Sequence, residues 1–292
     1  MNSGSTREEI MEQVALDELK RQIAALLAVA TGDAAEAETA RILDAALAAA
    51  PGDPSGPALA WAARRAQGAP LGQILGRQRF LGVDLMAEGD VLTPREETEL
   101  LGSEALALLQ AEAQREPGRE QRWIDMGCGS GNLACALASL VPQARFWASD
   151  ITPACAETTR RNVQRLGLED RIRVSQGDLF APLGGLGLEG TMDGVVMNPP
   201  YIPTGSLAKT HAGLLEHEPR EAFDGGPYGI SILGRLLQEA PPFLRPGGHL
   251  LFEFGLGQAR IVQSLVQRIG RYAQCRLAVN GAGEPRAAIL TL

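Results

Sequence analysis

The sequence predicts an α/β protein in which a mostly parallel sheet follows a small helical region. From residue 122 onward, short apolar segments alternate with helical patterns, whereas residues 1 to about 75 show helical patterns alone. Strands that alternate with helices are typical of βαβ units and therefore of parallel sheets. Glycine or acidic residues follow several of these strands, and parallel sheets bind their ligands at that edge.

The composition fits a large domain accompanied by a small one. The 292 residues are 45% hydrophobic and only 4% aromatic, so the core must consist mainly of aliphatic side chains. A net charge of −8 argues against binding long stretches of nucleic acid, which require a basic surface. The four cysteines form no C-x-x-C pair, and the sequence predicts neither a signal segment nor a membrane-spanning run. We expect a cytoplasmic monomer without a metal centre or a membrane segment.

Three amphipathic helices are predicted in the first 75 residues. Apolar residues within 16–30 recur on one helical face. Asp33 with Glu36 indicates a capping pair at the start of the second helix, and a third helix is predicted over 57–67. Residues 76–94 are predicted to form a hairpin-like linker with a turn at Gly89-Asp90. The predicted division is therefore 1–75 (helical, substrate-recognising), 76–94 (linker) and 95–292 (α/β domain).

The α/β domain opens with a helix predicted over about 96–114. Six strands follow, at 123–126, 144–149, 172–175, 192–197, 249–254 and 275–279. Helices are predicted between most of them, at 131–140, 153–166, 229–240 and 257–270.

The first of these strands ends in a glycine-rich loop, Asp125–Gly131, with the pattern G-x-G-x-G. Glycines allow a tight turn and a close approach to a ligand, although the loop alone also fits an ordinary strand-to-helix turn. Asp150 ends the second strand 23 residues after Gly127, where a carboxylate suits the two hydroxyls of a ribose or the start of a helix. After the third strand, Asp178 can accept from an adenine amine and Leu179 can pack on the ring, although Gly-Asp is also a common turn. Together these strand ends favour a nucleoside-containing cofactor.

The fourth strand runs into Asn198-Pro199-Pro200-Tyr201, which is the most specific feature of the sequence. The prolines fix φ and remove two backbone donors, so their carbonyls, with the Asn198 side-chain oxygen, can grip the hydrogens of an NH₂ group. Tyr201 can lie on the flat face of an amide or a base. An in-line attack of that nitrogen on a methyl donor above the glycine loop would depend on orientation, which can supply about 7–11 kcal/mol.

The ordered set of motifs resembles the HemK-type protein-(glutamine-N5) methyltransferases, which modify peptide chain release factors. Besides the glycine loop, Asp150 and Asn198–Tyr201, the resemblance rests on Gly76–Gly82, Val91–Glu99, Glu218-Pro219, Asp224-Gly225-Gly226, Gly229 and Phe252–Gly255 with Gln258.

This resemblance implies a class I methyltransferase domain with a Rossmann-like, seven-stranded sheet behind a helical substrate-recognition domain. It implies S-adenosylmethionine as cofactor, S-adenosylhomocysteine as product, and a release factor as the protein partner, whose Gly-Gly-Gln glutamine enters at Asn198–Tyr201. The cofactor site implied by the matching segments comprises Arg95, Thr98, Asp125, Gly127, Cys128, Gly129, Ser130, Gly131, Asp150, Ile151, Asp178, Leu179 and Asn198.

Three alternatives stay open at the level of sequence. Departures from the family pattern, such as Thr93 and Glu96, leave room for a relative that methylates a small molecule or another protein. A nucleic-acid base methyltransferase is a second alternative, since the same tetrapeptide serves nucleobase amines. Its phosphate-binding face would need the arginines between Arg160 and Arg173, which also fit a solvated helix face. A non-enzymatic binding protein is disfavoured because every expected site position is intact.

Overall fold

The structure is a computed structural model that describes residues 7–87, 91–95, 97–210 and 220–292. The chain divides after Arg77 into two compact units. The predicted turn at Gly89-Asp90, Glu96 and the Glu218-Pro219 motif lie outside the described residues. No helix in the described part of the chain is both long enough and apolar enough to cross a bilayer.

The first unit consists of helices packed on a small aliphatic core. They are α1 (Arg7–Thr31), α2 (Ala35–Ala49), α3 (Ser55–Ala66) and α4 (Leu71–Leu75). Each of the four contributes apolar side chains that are almost fully buried, which suits helices with one apolar face. The core includes Leu19, Ile23, Leu27, Ile42, Ala46, Ala58, Ala62 and Leu71.

The predicted capping pair at Asp33 and Glu36 is wrong. A 3₁₀ turn over Gly32–Ala34 joins α1 to α2, and Ala34 occupies the N-cap position without a side-chain hydrogen bond. The backbone of Ala34 is already helical, whereas a capping side chain folds back from an extended residue. The short helix α4 was not predicted either, because five residues are too few to show a helical period.

The second unit contains a hairpin, a seven-stranded sheet and the helices that cover it. The hairpin is β1 (Arg77–Phe80) with β2 (Val83–Met86). The sheet consists of β3 (Gln121–Met126), β4 (Ala144–Asp150), β5 (Ile172–Gln176), β6 (Met192–Met197), β7 (Leu244–Glu253), β8 (Gln274–Val279) and β9 (Pro285–Thr291). The helices are α5 (Thr98–Arg115), α6 (Asn132–Leu140), α7 (Pro153–Arg165), α8 (Thr204–Thr210), α9 (Ser231–Glu239) and α10 (Ala259–Ile269).

The strand order in the sheet is β5-β4-β3-β6-β7-β9-β8. Strands β3 to β7 are parallel, and β9 is antiparallel to both β7 and β8. The chain moves outward from β3 through β4 and β5, then returns to the other side of β3 as β6. A crevice for ligands therefore opens beyond the carboxyl ends of β3 and β6. This arrangement confirms the predicted fold class.

Two apolar layers cover the faces of the sheet, as expected for strands that are buried on both sides. Along β3, Trp123 packs into the layer that includes residues of α5 and α6, whereas Ile124 packs into the layer that includes residues of α9 and α10. The same alternation continues in β6, where Val195 and Val196 face opposite layers. The strand ends that build the site are thus fixed by packing on both faces.

Strand β9 was not predicted from the residues, although the family resemblance implied seven strands. Its sequence begins with Pro285-Arg286, which is an atypical start for a strand. It inserts between β7 and β8, and Ala287, Ala288 and Leu290 are buried there. Strand β7 also begins earlier than predicted, at Leu244, and runs through a Pro-Gly-Gly segment.

Candidate active site

A cavity of about 460 Å³ lies at the carboxyl edge of the sheet. This volume is within the range of small-molecule sites. Its walls come from the ends of β3, β4, β5 and β6 and from the segment before α9. The residues that line it include Gly127, Gly129, Asp150, Ile151, Gly177, Asp178, Leu179, Asn198, Pro200, Arg220 and Asp224.

The glycine loop after β3 uses its glycines for two different purposes. Gly127, Gly129 and Gly131 all have positive φ, a backbone conformation that disfavours other residues. Gly127 and Gly129 line the cavity, so their backbones can approach a ligand closely. A Cβ on Gly131 would lie 2.8 Å from the Thr159 methyl carbon, so this glycine permits close packing against α7.

Three predicted loop residues lie beneath the cavity and do not line it. Asp125 is buried, and its carboxylate accepts from the backbone N–H of Ala134 at 2.9 Å, near the start of α6. Burial raises the pKa of Asp125 to about 7, and the nearby charge of Asp150 acts in the same direction. Cys128 and Ser130 are also buried. These residues hold the loop in place from below.

Asp150 joins the glycine loop to the start of α7. Its Oδ2 accepts from the Gly129 N–H at 2.9 Å, and its Oδ1 accepts from the N–H and hydroxyl of Thr152 at 2.9 and 3.1 Å. Thr152 in turn caps α7, as its hydroxyl oxygen accepts from the Cys155 N–H at 3.3 Å. The neighbouring Ile151 is 58% exposed and forms part of the cavity wall.

The segment after β5 places Asp178 and Leu179 in the cavity wall. Leu179 has a φ of +46°, a left-handed conformation that is uncommon for leucine. The Ser149 hydroxyl donates to its carbonyl at 3.2 Å. Both oxygens of Asp178 accept from Arg235 of α9 at 2.9 Å. No sequence motif indicates this arginine. It binds the Asp178 carboxylate, which is also the group predicted to accept from the adenine amine.

Asn198–Pro200 and Tyr201 lie between this cavity and a smaller one of about 40 Å³. The strand register sets this position, because Met126 at the end of β3 pairs with Met197 at the end of β6. Asn198 lines both cavities, whereas Pro199 and Tyr201 line the smaller one together with the predicted residue Arg95. Thr98 is buried, lines neither cavity, and contacts Asn198.

The segment Phe223–Gly229 pairs with Ile202, the residue that follows the tetrapeptide. The Ile202 N–H donates to the Phe223 carbonyl and the Gly225 N–H donates to the Ile202 carbonyl, each at 2.9 Å. A Cβ on Gly225 would lie 2.7 Å from the Pro200 carbonyl oxygen, and one on Gly229 would overlap the Tyr201 carbonyl oxygen. Gly225 and Gly229 are therefore required by close backbone packing.

A buried carboxylate that sequence reasoning missed organises the far side of the tetrapeptide. Glu253 ends β7 and is 2% exposed; it accepts from the Thr98 hydroxyl at 2.8 Å and the Tyr201 hydroxyl at 3.1 Å. Arg286 lies 3.4 Å from Glu253 and 3.3 Å from the Tyr201 hydroxyl. Burial raises the pKa of Glu253, against the lowering effect of these partners. The sequence feature that could have identified Glu253 is an acidic residue at the end of an otherwise apolar strand.

Three of the arginines between Arg160 and Arg173 already have acceptors within the protein. Arg160 and Arg165 pair with Glu157 and Asp84, and Arg171 donates to the backbone carbonyl of Ala138. Within the described ranges, no group of three or more His, Cys, Asp or Glu side chains is placed to hold a metal ion.

Comparisons with known proteins identify the family and the fold. A family model, Methyltransferase small domain, matches residues 101–220. A release factor glutamine methyltransferase of Moorella thermoacetica is 40% identical over 223 residues, 76% of this chain and 75% of that protein. One of Geobacter sulfurreducens is 38% identical over 224 residues, 77% of this chain and 74% of that protein. The N-terminal domain of human METTL16, solved with SAH, shares the fold with a TM-score of 0.53 at 17% identity, over 80% of this chain and 82% of that chain.

The fold and these comparisons define an S-adenosylmethionine-dependent methyltransferase. At this identity and coverage, the chain belongs to the release factor glutamine methyltransferase family. The family resemblance predicted from the sequence motifs is thereby confirmed.

Proposed function

We propose that this enzyme transfers the methyl group of S-adenosylmethionine to the side-chain amide nitrogen of the glutamine in the Gly-Gly-Gln tripeptide of a peptide chain release factor. The observation that supports this proposal most directly is the orientation of the Asn198 side-chain amide. Its Nδ2 donates to Thr98 at 2.9 Å, so its Oδ1 is left as the acceptor at the meeting point of the two cavities. The names of the relatives support the choice of substrate.

The residues of the larger cavity fit the cofactor. Asp150 is placed to accept from the ribose hydroxyls, and the exposed backbone of Gly127 and Gly129 admits the amino-acid moiety. Leu179 supplies an apolar surface for adenine, next to the Asp178 carboxylate. Asp125, Cys128, Ser130 and Gly131 hold this wall in shape, and Ile151 closes its edge.

The smaller cavity fits the side-chain amide of the substrate. Pro199 and Pro200 have no N–H, so the tetrapeptide presents acceptors to an incoming NH₂ group. The Tyr201 carbonyl is already occupied by Gln258 at 2.9 Å, which leaves the proline carbonyls and Asn198 Oδ1 for the substrate. The Tyr201 ring lines this cavity, where it can pack on the flat amide.

The reaction is an in-line displacement. When bound, S-adenosylmethionine supplies an electrophilic methyl group on a sulfonium. The glutamine nitrogen forms a bond to that carbon as the carbon–sulfur bond breaks, the electron pair leaves with sulfur, and the nitrogen releases one proton to water. Acceptors at Asn198 and the prolines stabilise the positive charge that develops on the nitrogen. They also orient a weak nucleophile whose lone pair is shared with its carbonyl.

The helical first unit would recognise the release factor in this scheme. Helix α1 carries the exposed apolar residues Met11, Val14 and Val29, the last being 97% exposed. Surface apolar residues of this kind suit contact with a protein. Changing Val29 to Glu should then raise the KM for the intact factor and leave the KM for a short Gly-Gly-Gln peptide unchanged.

Methyl transfer to the tripeptide tests the main proposal. The enzyme is mixed with S-adenosylmethionine and a purified release factor from the same organism, and the digest is analysed by mass spectrometry. We expect one methyl increment on the Gly-Gly-Gln peptide and none on a factor that has asparagine in place of the tripeptide glutamine. Absence of the increment with an enzyme that binds S-adenosylmethionine would overturn the assignment of the substrate.

A further inference from the structure

Three side chains from distant parts of the chain form a hydrogen-bonded series behind the tetrapeptide. Asn198 Nδ2 donates to Thr98 Oγ1 at 2.9 Å, and Thr98 Oγ1 donates to Glu253 Oε2 at 2.8 Å. Thr98 and Glu253 are each 2% exposed. Asn198 and Glu253 follow Met197 and Phe252, which are paired across neighbouring strands. The sheet register therefore brings both side chains to the first turn of α5.

With Glu253 ionised beside Arg286, the chemistry of these groups allows one direction for the series. A carboxylate only accepts, and a hydroxyl has a single proton. Because Thr98 gives its proton to Glu253, it can offer only a lone pair to residue 198. That residue must therefore donate, and its amide oxygen must turn away from Thr98.

The other oxygen of Glu253 is held as well. Oε1 accepts from the Tyr201 hydroxyl at 3.1 Å and lies 3.4 Å from Arg286 NH2. The guanidinium of Arg286 also lies over the Tyr201 ring, 5.8 Å from its centroid. Both oxygens are thus occupied, and the carboxylate cannot rotate without losing one of these contacts.

We propose that Thr98 and Glu253 are positioning residues that set the direction of the Asn198 amide and thereby require an amide, not a carboxylate, at position 198. This inference rests on the proposed function, in which Asn198 Oδ1 receives the substrate NH₂ group. The family resemblance placed Thr98 among the cofactor-binding residues, whereas this inference gives it a positioning role.

The proposal predicts how the series can be reversed. In Asn198→Asp, two carboxylates compete for the single proton of Thr98, so the new side chain is repelled from its position. Adding Glu253→Gln restores a complete series. The amide introduced at position 253 then donates to Thr98, and Thr98 donates to the carboxylate introduced at position 198. The amide oxygen at position 253 still accepts from Tyr201 and Arg286.

Kinetics of matched variants test the series. Thr98→Val keeps the shape and removes the hydroxyl, and we expect kcat to fall about 10- to 100-fold. The affinity for S-adenosylmethionine, measured by calorimetry, should stay within about threefold because Thr98 does not line the cavity. Thr98→Ser keeps the hydroxyl and should retain most of the activity. A cofactor affinity that falls as steeply as kcat, or a valine variant with normal kcat, would overturn the positioning role.

The double variant Asn198→Asp with Glu253→Gln tests whether the direction of the hydrogen bonds, and not merely the net charge, determines activity. Asn198→Asp should lower kcat by about 100-fold or more, and Glu253→Gln in the same chain should recover about tenfold or more. Recovery should vanish when Thr98→Val is added, because the hydroxyl carries the series. Recovery that survives this third change would mean simple charge compensation and would refute the proposal. So would a folded double variant, judged by thermal unfolding, that is no more active than Asn198→Asp.

An NMR measurement separates this inference from the proposed function. The Asn198 side-chain NH₂ resonances, identified by their absence in Asn198→Asp, should shift and exchange faster with solvent in Thr98→Val. Unchanged resonances would refute the inference whatever the substrate is. An inactive wild-type enzyme with the expected resonance change would instead refute only the assignment of the release factor.

Discussion

The two walls of the active site are held together in different ways. The cofactor wall (Gly127, Gly129, Asp150, Asp178 and Leu179) follows β3, β4 and β5, and its hydrogen bond from Gly129 to Asp150 spans 21 residues of sequence. The acceptor wall (Asn198–Tyr201) depends on contacts that span 100 residues between Asn198 and Thr98, and 155 between Thr98 and Glu253.

This difference indicates what each wall demands of the chain. The cofactor wall is made of short segments that carry their own contact groups, namely the glycine backbones and the side chains of Asp150 and Leu179, so each segment is close to complete by itself. The acceptor wall aims one amide at a small group, and that aim requires side chains fixed from several elements. Damage to the first wall should weaken cofactor binding, whereas damage to the second should slow the chemical step.

The largest effect is expected from breaking the acceptor wall at Asn198. Asn198→Ala removes an acceptor for the substrate NH₂ group, and kcat should fall about 10²- to 10³-fold, as for other preorganised hydrogen-bonding groups in active sites. The dissociation constant for S-adenosylmethionine, measured by calorimetry, should change by less than about threefold. Near-normal turnover in the folded variant would remove Asn198 from the reaction.

Breaking the cofactor wall at Asp150 should give the opposite pattern. Asp150→Ala removes the carboxylate that holds Gly129 and Thr152 and that is proposed to accept from the ribose hydroxyls. We expect the dissociation constant for S-adenosylmethionine to rise about 10- to 100-fold, since hydrogen bonds to a charged group contribute about 1.5–3 kcal/mol. The value of kcat at saturating cofactor should change little. Exposed Glu169, in the turn before β5, gives a matched control as Glu169→Ala, which should leave both constants unchanged.

Gly229 offers a milder way to disturb the acceptor wall from outside. A Cβ there would overlap the Tyr201 carbonyl oxygen, and φ is +70°. In Gly229→Ala we expect the free energy of unfolding in urea to fall by about 1–3 kcal/mol, with a kcat lowered about tenfold by displacement of Tyr201.

Gly247 is the matched control for this variant. It has a φ of +74° but open space where a Cβ would go. Gly247→Ala should therefore cost about 1 kcal/mol of stability with no loss of activity. Equal losses of activity at both glycines would show that close packing against Tyr201 is unimportant.

The contrast between the walls also explains what the sequence could predict. The glycine loop, Asp150 and the tetrapeptide were located from local patterns, because each pattern is complete within a few residues. The supports of the tetrapeptide were not, since Glu253 reaches it through the pairing of β7 with β6, and Arg286 through the pairing of β9 with β7. The capping pair at Asp33 failed for a different, local reason: a 3₁₀ turn precedes α2, and Ala34 occupies the N-cap position with a helical backbone.

The smallest expected effect concerns the buried carboxylate beneath the cofactor wall. Asp125 has one strong hydrogen bond, and burial raises its pKa to about 7, whereas an unfolded aspartate titrates near about 4. Between these values the folded protein binds a proton that the unfolded chain has lost, so stability falls as the pH rises. Asp125→Asn does not titrate. Its free energy of unfolding relative to wild type should therefore increase by about 1–3 kcal/mol between about pH 5 and about pH 8.

Asp193 in β6 provides the comparison that isolates this effect. It is also buried, and burial acts to raise its pKa, but hydrogen bonds from Arg119, the Arg122 N–H and Arg245 outweigh burial and lower the pKa. Its contribution to stability is present above the unfolded pKa and is lost only in acid. Asp193→Asn should thus destabilise the protein by the same amount at about pH 5 and about pH 8. A flat pH dependence for Asp125→Asn as well would mean that Asp125 stays ionised beneath the glycine loop throughout this pH range.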